Sequence, residues 1–449
     1  MTNTHVLILA AGRGSRMKSN KPKVLHKVAG RSMLAHTLAA SESLSPSRTQ
    51  AIIGFGAEQI KTEFGNSLEY LHQNEQLGTG HAVQCAASAI EDDSVVLVLY
   101  GDVPLVQPET LAAVVKQAED AGLALLSVVV EDPMGYGRIL RNDQGNVQGI
   151  VEQKDATEDQ LKITEVNTGI LAAKGKQLKS WLARLSNDNA AGEYYLTDIV
   201  AMAFEEQLKV QATQPAGFWE VAGANSRQQL AELERMYQRV LVDQLLEQGA
   251  TVVDPERFDL RGILTVGKDV SIDVNAIFEG EVVLGDGVSI GANCVIRNSR
   301  ISDGVVVKPF SHIDGAIIGE NAQVGPYARL REGTDLGANV KIGNFVETKK
   351  ARLDAGAKAS HLSYLGDAEI GSNTNIGAGT ITCNYDGKDK HKTQIGKDVF
   401  VGSNTAIVAP VDLSDGVTVG AGSVITRSVE KDSLAIARAK QRNIEDWRK

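Results

Sequence analysis

A short apolar run that breaks into glycine and then turns basic, "VLILAAGRGSRMKSNKPK" at residues 6–23, is the first place where residue types could do chemistry. Small residues at a strand end (Ala10, Ala11, Gly12, Gly14) let backbone N–H groups approach an anion, and Arg16 and Lys23 supply charge just downstream. The spacing excludes two known phosphate grips. G-x-x-x-x-G-K-[ST] is absent, and the third glycine of G-x-G-x-x-G is replaced by Met17. Arg13, Lys18 and Lys21, taken singly, read equally well as a solvated basic loop. A second feature is "VVLVLYGDVPL", an apolar strand pattern ending in Gly101-Asp102. A carboxylate at the carboxyl end of a parallel strand lies where such sheets bind ligands. Mg²⁺ commonly takes one or two carboxylates and completes its shell with substrate phosphates, although Gly-Asp is also a common turn. The third feature is a cluster, "YARLREG", "NFVETKKARL", "ASHLSYLGD" and "NTNIGAGTITCNYDG". Histidine titrates near neutrality and suits a general base. His361 has Lys349, Tyr364 and Asn375 nearby in the repeat, whereas His312 and His391 read as surface residues.

Two kinds of sequence must position these groups. Up to about residue 226, apolar runs at 6–10, 49–54, 95–100 and 123–130 alternate with helical patterns at 32–43, 80–90 and 108–121. This βαβα order predicts an α/β domain with a Rossmann-like, mostly parallel sheet covered by helices on both faces. A polar helical stretch at 227–250, capped by Ser226 and stopped by Gly249, reads as a linker. From Val266 an aliphatic residue recurs every six positions through roughly two dozen hexads, with a small or β-branched residue four positions after each opener. Three hexads make one triangular coil, and coils stack at about 4.8 Å. The region 251–449 is therefore predicted to be a parallel β-helix. One polar insertion, "TCNYDGKDKHKTQ" at 382–394, cannot join the coil and must project as a loop.

Composition narrows the class. A net charge of −10 over 449 residues gives no global attraction to nucleic acid. The first 41 residues nevertheless hold seven Lys/Arg and no Asp or Glu, a bias that a small anionic ligand accounts for. No apolar stretch reaches the length of a membrane span, and three scattered cysteines without a Cys-x-x-Cys pair fit a reducing cytoplasm.

The run L-x-A-G-x-G-[ST]-R-M followed by Pro-Lys, together with "EQLGTGHA", "YGDVPL", "GYGRI", "VEQKDA", "NTGI" and "EYYLTD", resembles the sugar-nucleotide pyrophosphorylases. With the repeat included, the sequence resembles, from end to end, the bacterial bifunctional N-acetylglucosamine-1-phosphate uridylyltransferase/glucosamine-1-phosphate N-acetyltransferases. The resemblance implies a left-handed β-helix, a homotrimer with acetyl-transfer sites between subunits, Mg²⁺, and UTP and acetyl-CoA as co-substrates. In the first half it assigns UTP and UDP-N-acetylglucosamine contacts to Leu9, Ala10, Ala11, Gly12, Arg16, Lys23, Tyr100 and Gly101. Uracil would be read by Gln73, Gly78 and Thr79, the sugar by Gly137, Glu152 and Asn167, and Mg²⁺ held by Asp102 and Asn225. In the second half it makes His361 the base that deprotonates the amine of glucosamine 1-phosphate, with Glu347 orienting it. Arg331, Lys349, Tyr364 and Asn375 would hold the sugar phosphate. Ala378, Asn384, Tyr385, Ser403, Ala421 and Arg438 would meet acetyl-CoA. Two rivals stand beside this reading. A single-activity pyrophosphorylase with a regulatory or oligomerising β-helix predicts no base or sugar-phosphate cluster on the repeat. A non-catalytic nucleotide-binding module predicts a degraded Asp102/Lys23 pair.

Overall fold

The computed structural model describes residues 3–448. By contact, the chain divides into two compact units, Met1–Tyr237 and Gln238–Lys449. The division falls inside the helix Arg227–Glu247. That helix begins where the Ser226 hydroxyl accepts from the Gln229 N–H at 3.2 Å, and it stops at Gly249, whose φ of +94° only glycine adopts cheaply. Among the described residues no helix is long and apolar enough to cross a membrane.

The first unit is a nine-stranded sheet. Its main path runs Gln211–Thr213, Leu123–Val129, Glu165–Lys174, Val95–Tyr100, Thr4–Ala10, Arg48–Ile53, Glu69–His72. Every residue of Thr4–Ala10 is buried. Val6, Ile8 and Ala10 enter one apolar cluster while Leu7 and Leu9 enter another, which is why this strand is apolar throughout rather than alternating. Four of the six pairings along that path are parallel, and the sheet is mixed because one inner strand runs the other way. Glu165–Lys174 runs antiparallel to both of its neighbours, and Arg138–Arg141 forms an antiparallel hairpin with Val147–Val151. The reason lies in the connection: residues 130–164 contain that hairpin and one 3-10 turn instead of the crossover helix that a parallel return needs. After Thr4–Ala10 the chain lays Arg48–Ile53 and Glu69–His72 outward on one side, then returns to pair Val95–Tyr100 on the other. The crevice at the carboxyl ends of Thr4–Ala10 and Val95–Tyr100 is thus a point where strand order reverses, the usual ligand position in open α/β sheets.

The second unit is a parallel β-helix. Successive coils pair in parallel, most of them with offsets of 18 or 17 residues, as in Ser271↔Ser289 and Ser289↔Val306. The openers Ile272, Phe278, Leu284, Ile290 and Ile296 are all buried, and the next one, Ile301, follows after five residues instead of six. One five-residue side in many of the coils accounts for the slips in the hexad pattern. The coil also begins earlier than the pattern. Phe258–Val266 pairs residue for residue with Ala276–Leu284, although "FDLRGILTV" lacks the aliphatic-glycine signature. Glycine after an opener marks a corner where neighbouring coils nearly touch. A Cβ on Gly285 would lie 2.2 Å from Asp303 Oδ1 and 2.8 Å from the Asp303 backbone nitrogen. The insertion projects between Ile381–Cys383 and Thr393–Ile395, pinched by a bridge from Tyr385 to Lys390. Its turn is tied by Asp386, which accepts from the Lys388 and Asp389 N–H groups at 2.8 and 2.7 Å.

Two candidate active sites

In the first unit the strand-order crevice opens as a cavity of about 270 Å³. It is lined by Leu9, Ala10, Ala11 and Gly12 from the end of Thr4–Ala10, Lys23 and Val24 from the basic loop, Gln73, Gln76, Gly78, Thr79 and Ala82, Tyr100 and Asp102 from the end of Val95–Tyr100, and Glu193. A Cβ on Gly12 would meet nothing within 4 Å, so this position borders open space that a ligand can use. Gly14 is required for a different reason. Its φ is +61°, and a Cβ there would lie 2.7 Å from Lys23 Cβ, so the loop folds directly against the lysine stem. The Lys23 ammonium sits between two oxygens, Asp102 Oδ2 at 2.5 Å and Asn225 Oδ1 at 2.8 Å. Residues 79 and 202 positions away in sequence therefore converge on one point.

Gln73 is buried rather than exposed on a strand end. Its amide nitrogen donates to the Gly78 carbonyl at 3.0 Å and lies 3.2 Å from His81 Nδ1. Gly78 has φ +110°, and a Cβ there would be 2.5 Å from the Tyr194 carbonyl oxygen. Thr79 accepts from the Leu196 N–H at 3.1 Å. Burial raises the Tyr100 hydroxyl far above the ordinary tyrosine value, with the Glu152 and Asp102 charges adding, so it stays protonated as a donor. Gly137, Glu152 and Asn167 form a separate group outside the lining. Asn167 donates its backbone N–H to the Gly137 carbonyl at 2.9 Å, and a Gly137 Cβ would lie 3.3 Å from both Glu152 carboxylate oxygens. Burial raises the Glu152 pKa, the Thr197 hydrogen bond at 3.0 Å opposes this, and Asp198, Asp155 and Glu193 add to the rise. Arg16 is exposed on the turn Ser15–Met17 and is not part of the lining. Among the described residues no group of three or more His, Cys, Asp or Glu could hold a metal. The donor set that fits a hard cation is the pair of oxygens around Lys23.

In the second unit a column runs up one edge of the coil. Backbone hydrogen bonds Leu362 N–H to Asn344 O, Gly379 to His361, Asn404 to Ala378 and Gly422 to Ser403 place Asn344, His361, Ala378, Ser403 and Ala421 one above another on successive coils. Arg438 closes the column by donating from Nη1 to the Ala421 carbonyl at 2.6 Å. His361 is exposed, and its Nδ1 lies 2.7 Å from Asn344 Oδ1. Within one chain it is Asn344, not Glu347, that meets the imidazole. Asn344 is the in-register partner of His361, whereas Glu347 is the partner of Tyr364 on the next face. Glu347 instead binds Arg331 at 2.8 Å, with Arg329 at 4.0 Å. A spacing of one coil back from His361 would have found Asn344.

On that next face a cavity of about 240 Å³ is lined by His312, Asp314, Arg329, Leu330, Arg331, Glu332, Lys349 and Lys350. The Lys349 pKa is lowered, first by close approach of Lys390 and then by Arg331. Lys390 sits in the projecting loop, and sequence reading passed over it because nothing in a polar insertion says which face it leans on. Tyr364 folds over Gly366, where a Cβ would meet its hydroxyl at 2.4 Å. Asn384 is buried and donates to Asp367 at 2.5 Å, while Tyr385 is exposed and donates to the Gly387 carbonyl at 2.7 Å. Asn375 lies in register with Lys358 and Phe400 on the face that carries His361. His361 itself borders a depression of about 300 Å³ that includes Asn344 and Ser360 but none of the basic group. A further depression, about 720 Å³ around Arg352, Glu369, Lys397 and Asp415, contains none of the predicted residues.

Residues 6–248 match the MobA-like NTP transferase domain, 260–358 the GMPPB C-terminal domain, and 392–427 the hexapeptide repeat of succinyl-transferase. The chain is similar along its length to proteins named bifunctional protein GlmU. The one from Marinobacter nauticus is 57% identical over 448 residues, covering 100% of this chain and 99% of the relative. Those from Stutzerimonas stutzeri and Cupriavidus pinatubonensis are 56% and 53% identical, each covering 99% of this chain and 98% of the relative.

Proposed function

The chain belongs to the family of the bifunctional protein GlmU, and from that premise we propose how its two halves divide the work. It is a bifunctional transferase of UDP-N-acetylglucosamine synthesis, a glucosamine-1-phosphate N-acetyltransferase and an N-acetylglucosamine-1-phosphate uridylyltransferase.

Acetyl transfer is assigned to the repeat. With the Asn344 carbonyl oxygen holding Nδ1–H, His361 keeps a free lone pair on Nε2. That atom takes a proton from the amine of glucosamine 1-phosphate as the nitrogen attacks the thioester carbon of acetyl-CoA. The carbon–sulfur bond breaks, and the coenzyme A thiolate leaves and collects the proton. Arg331, Lys349 and Lys390 form a basic group suited to the sugar phosphate, with Glu347 fixing Arg331. Tyr364 and Asn375 complete the sugar pocket. The column Ala378, Ser403, Ala421 and Arg438 offers acetyl-CoA a groove, flanked by Asn384 and Tyr385 from the loop. A homotrimer is supported by the open state of this site in one chain. Phe310, Tyr327, Phe345 and Leu362 line the same edge, exposed, with φ between +50° and +61°, and the three rings are stacked. Bulky residues in the left-handed region are costly, and burial against a second copy offsets that cost.

Uridylyl transfer is assigned to the first unit. A phosphate oxygen of N-acetylglucosamine 1-phosphate attacks the α-phosphorus of UTP, and the bond to pyrophosphate breaks. Positioning and charge neutralisation are the catalytic means. Gln73, Gly78 and Thr79 receive uracil, Leu9 to Gly12 admit the nucleotide backbone, Tyr100 and Gly101 border it, and Gly137, Glu152 and Asn167 take the sugar. Lys23 and the exposed Arg16 supply positive charge to the phosphates. Asp102 and Asn225 would hold Mg²⁺, which when bound neutralises phosphate charge. UTP and acetyl-CoA as substrates, with no thiol pairing, fit the cytoplasm.

The observation that carries the two-activity reading is an exposed histidine held through Nδ1 by Asn344, with a basic group of Arg331, Lys349 and Lys390 on the adjoining face of the repeat, which a purely assembling β-helix has no use for. The test is to measure two products from the wild-type chain. Coenzyme A thiol should appear from acetyl-CoA only with glucosamine 1-phosphate, and pyrophosphate from UTP only with N-acetylglucosamine 1-phosphate. Pyrophosphate without thiol would establish the single-activity rival.

A further inference from the structure

We propose that Lys23 is an internal cation that keeps the metal site closed until nucleotide phosphates draw it away. The inference rests on the assignment of Asp102 and Asn225 as the metal ligands and adds to it an order of assembly.

The Lys23 ammonium lies 2.5 Å from Asp102 Oδ2 and 2.8 Å from Asn225 Oδ1, the same two oxygens that would hold the cation. A divalent cation binds such oxygens at about 2.0–2.1 Å, so it and the ammonium cannot share them. Both Lys23 and Asp102 are nearly buried, with side chains 14% and 13% exposed, so the pair is shielded from solvent and salt. The lysine is also fixed at its base. Gly14 packs against its Cβ, and Lys23 opens a 3-10 turn directly after Pro22. The ammonium therefore has a short arc to travel, between the two oxygens and the cavity that it also lines.

Two protein oxygens are a poor site for a metal that normally retains several waters and leans on substrate phosphates. Without nucleotide, metal entry must also displace Lys23 from a charged hydrogen bond. With a triphosphate in the cavity, Lys23 gains new anionic acceptors and releases Asp102 and Asn225. Metal and nucleotide are then positively coupled through one side chain, and the coupling is reciprocal. The lock prevents tight metal binding to the empty enzyme and has the metal arrive with its phosphates.

Mn²⁺ serves as the probe, with free Mn²⁺ read by its electron paramagnetic resonance signal during titration of the full-length chain without nucleotide. Wild type and Lys23→Arg should bind weakly. Lys23→Met should bind one Mn²⁺ about tenfold tighter, the scale of one hydrogen bond to a charged group. Adding Asp102→Asn to Lys23→Met should abolish the gain. Equal affinity of wild type and Lys23→Met overturns the lock. The underlying metal assignment is tested separately by dialysis with UTP present: if Asp102→Asn leaves protein-bound Mn²⁺ unchanged, that assignment fails instead. A measurement on wild type alone guards against a misfolded variant. Acylation of Lys23 by an amine-reactive ester, mapped by mass spectrometry, should accelerate when Mn²⁺ saturates the site, and an unchanged rate contradicts the proposal.

Discussion

The two halves build their sites by opposite means. The first collects Lys23, Gln73, Asp102 and Asn225 from segments spread over two hundred residues, joined only because the sheet reverses its strand order beside Thr4–Ala10. The second stacks Asn344, His361, Ala378, Ser403 and Ala421 by repetition, one residue per coil. An α/β crevice can enclose a ligand within one chain. A β-helix edge is a straight surface and leaves His361 exposed. The first geometry yields a cavity with buried polar groups, and the second yields an open ladder of residues along one edge.

If the comparison is right, damage should stay within one half. The largest effect is expected for His361→Gln, which keeps the fold but loses the proton acceptor. Acetyl transfer should fall by about 10²–10⁴-fold with uridylyl transfer unchanged, as read by separate thiol and pyrophosphate assays. Next is Leu365→Ala in the repeat core, where the side chain is fully buried. It should destabilise the second unit by about 2–5 kcal/mol in denaturant unfolding, while UTP binding by the first unit persists. Asn344→Ala should lower kcat for acetyl transfer by about tenfold with little change in KM, and it should shift the acid limb of the pH profile. A purely structural role would leave that profile in place.

The smallest effect is expected at Glu152. Burial holds its folded-state pKa above the unfolded value, so the folded chain binds this proton more tightly, and stability is lost as pH rises through the carboxylate range. Glu152→Gln removes that penalty. Its Tm should exceed wild type by about 1–4 °C at neutral pH, and the gain should vanish below about pH 4.

The sequence was most legible where one physical rule repeats. Six-residue periodicity fixed the β-helix, and "VVLVLY" marked its strand without error. The mostly parallel sheet was legible from the βαβα order, but its antiparallel return was not, because the hairpin at Arg138–Val151 carries no helical or strand period strong enough to reveal it. The proposed metal pair Asp102 and Asn225 came from family resemblance. No local rule links residues 123 positions apart, and only the fold brings both to Lys23. The role of Glu347 came from family resemblance, and within one chain its contacts are Arg331 and Arg329. Counting one coil back from His361 leads to Asn344, and that count becomes available once the coil length is known.

The central claim is that each half performs one reaction, and with the two sites in separate units the intermediate should pass freely from chain to chain. Mixing full-length His361→Ala with full-length Asp102→Ala tests it directly, with glucosamine 1-phosphate, acetyl-CoA and UTP supplied and UDP-N-acetylglucosamine measured. Each variant alone should make essentially none, and the mixture should make it at a rate comparable to wild type at equal numbers of intact sites. Product from either variant alone, or none from the mixture while each retains its own half-reaction, would contradict the account.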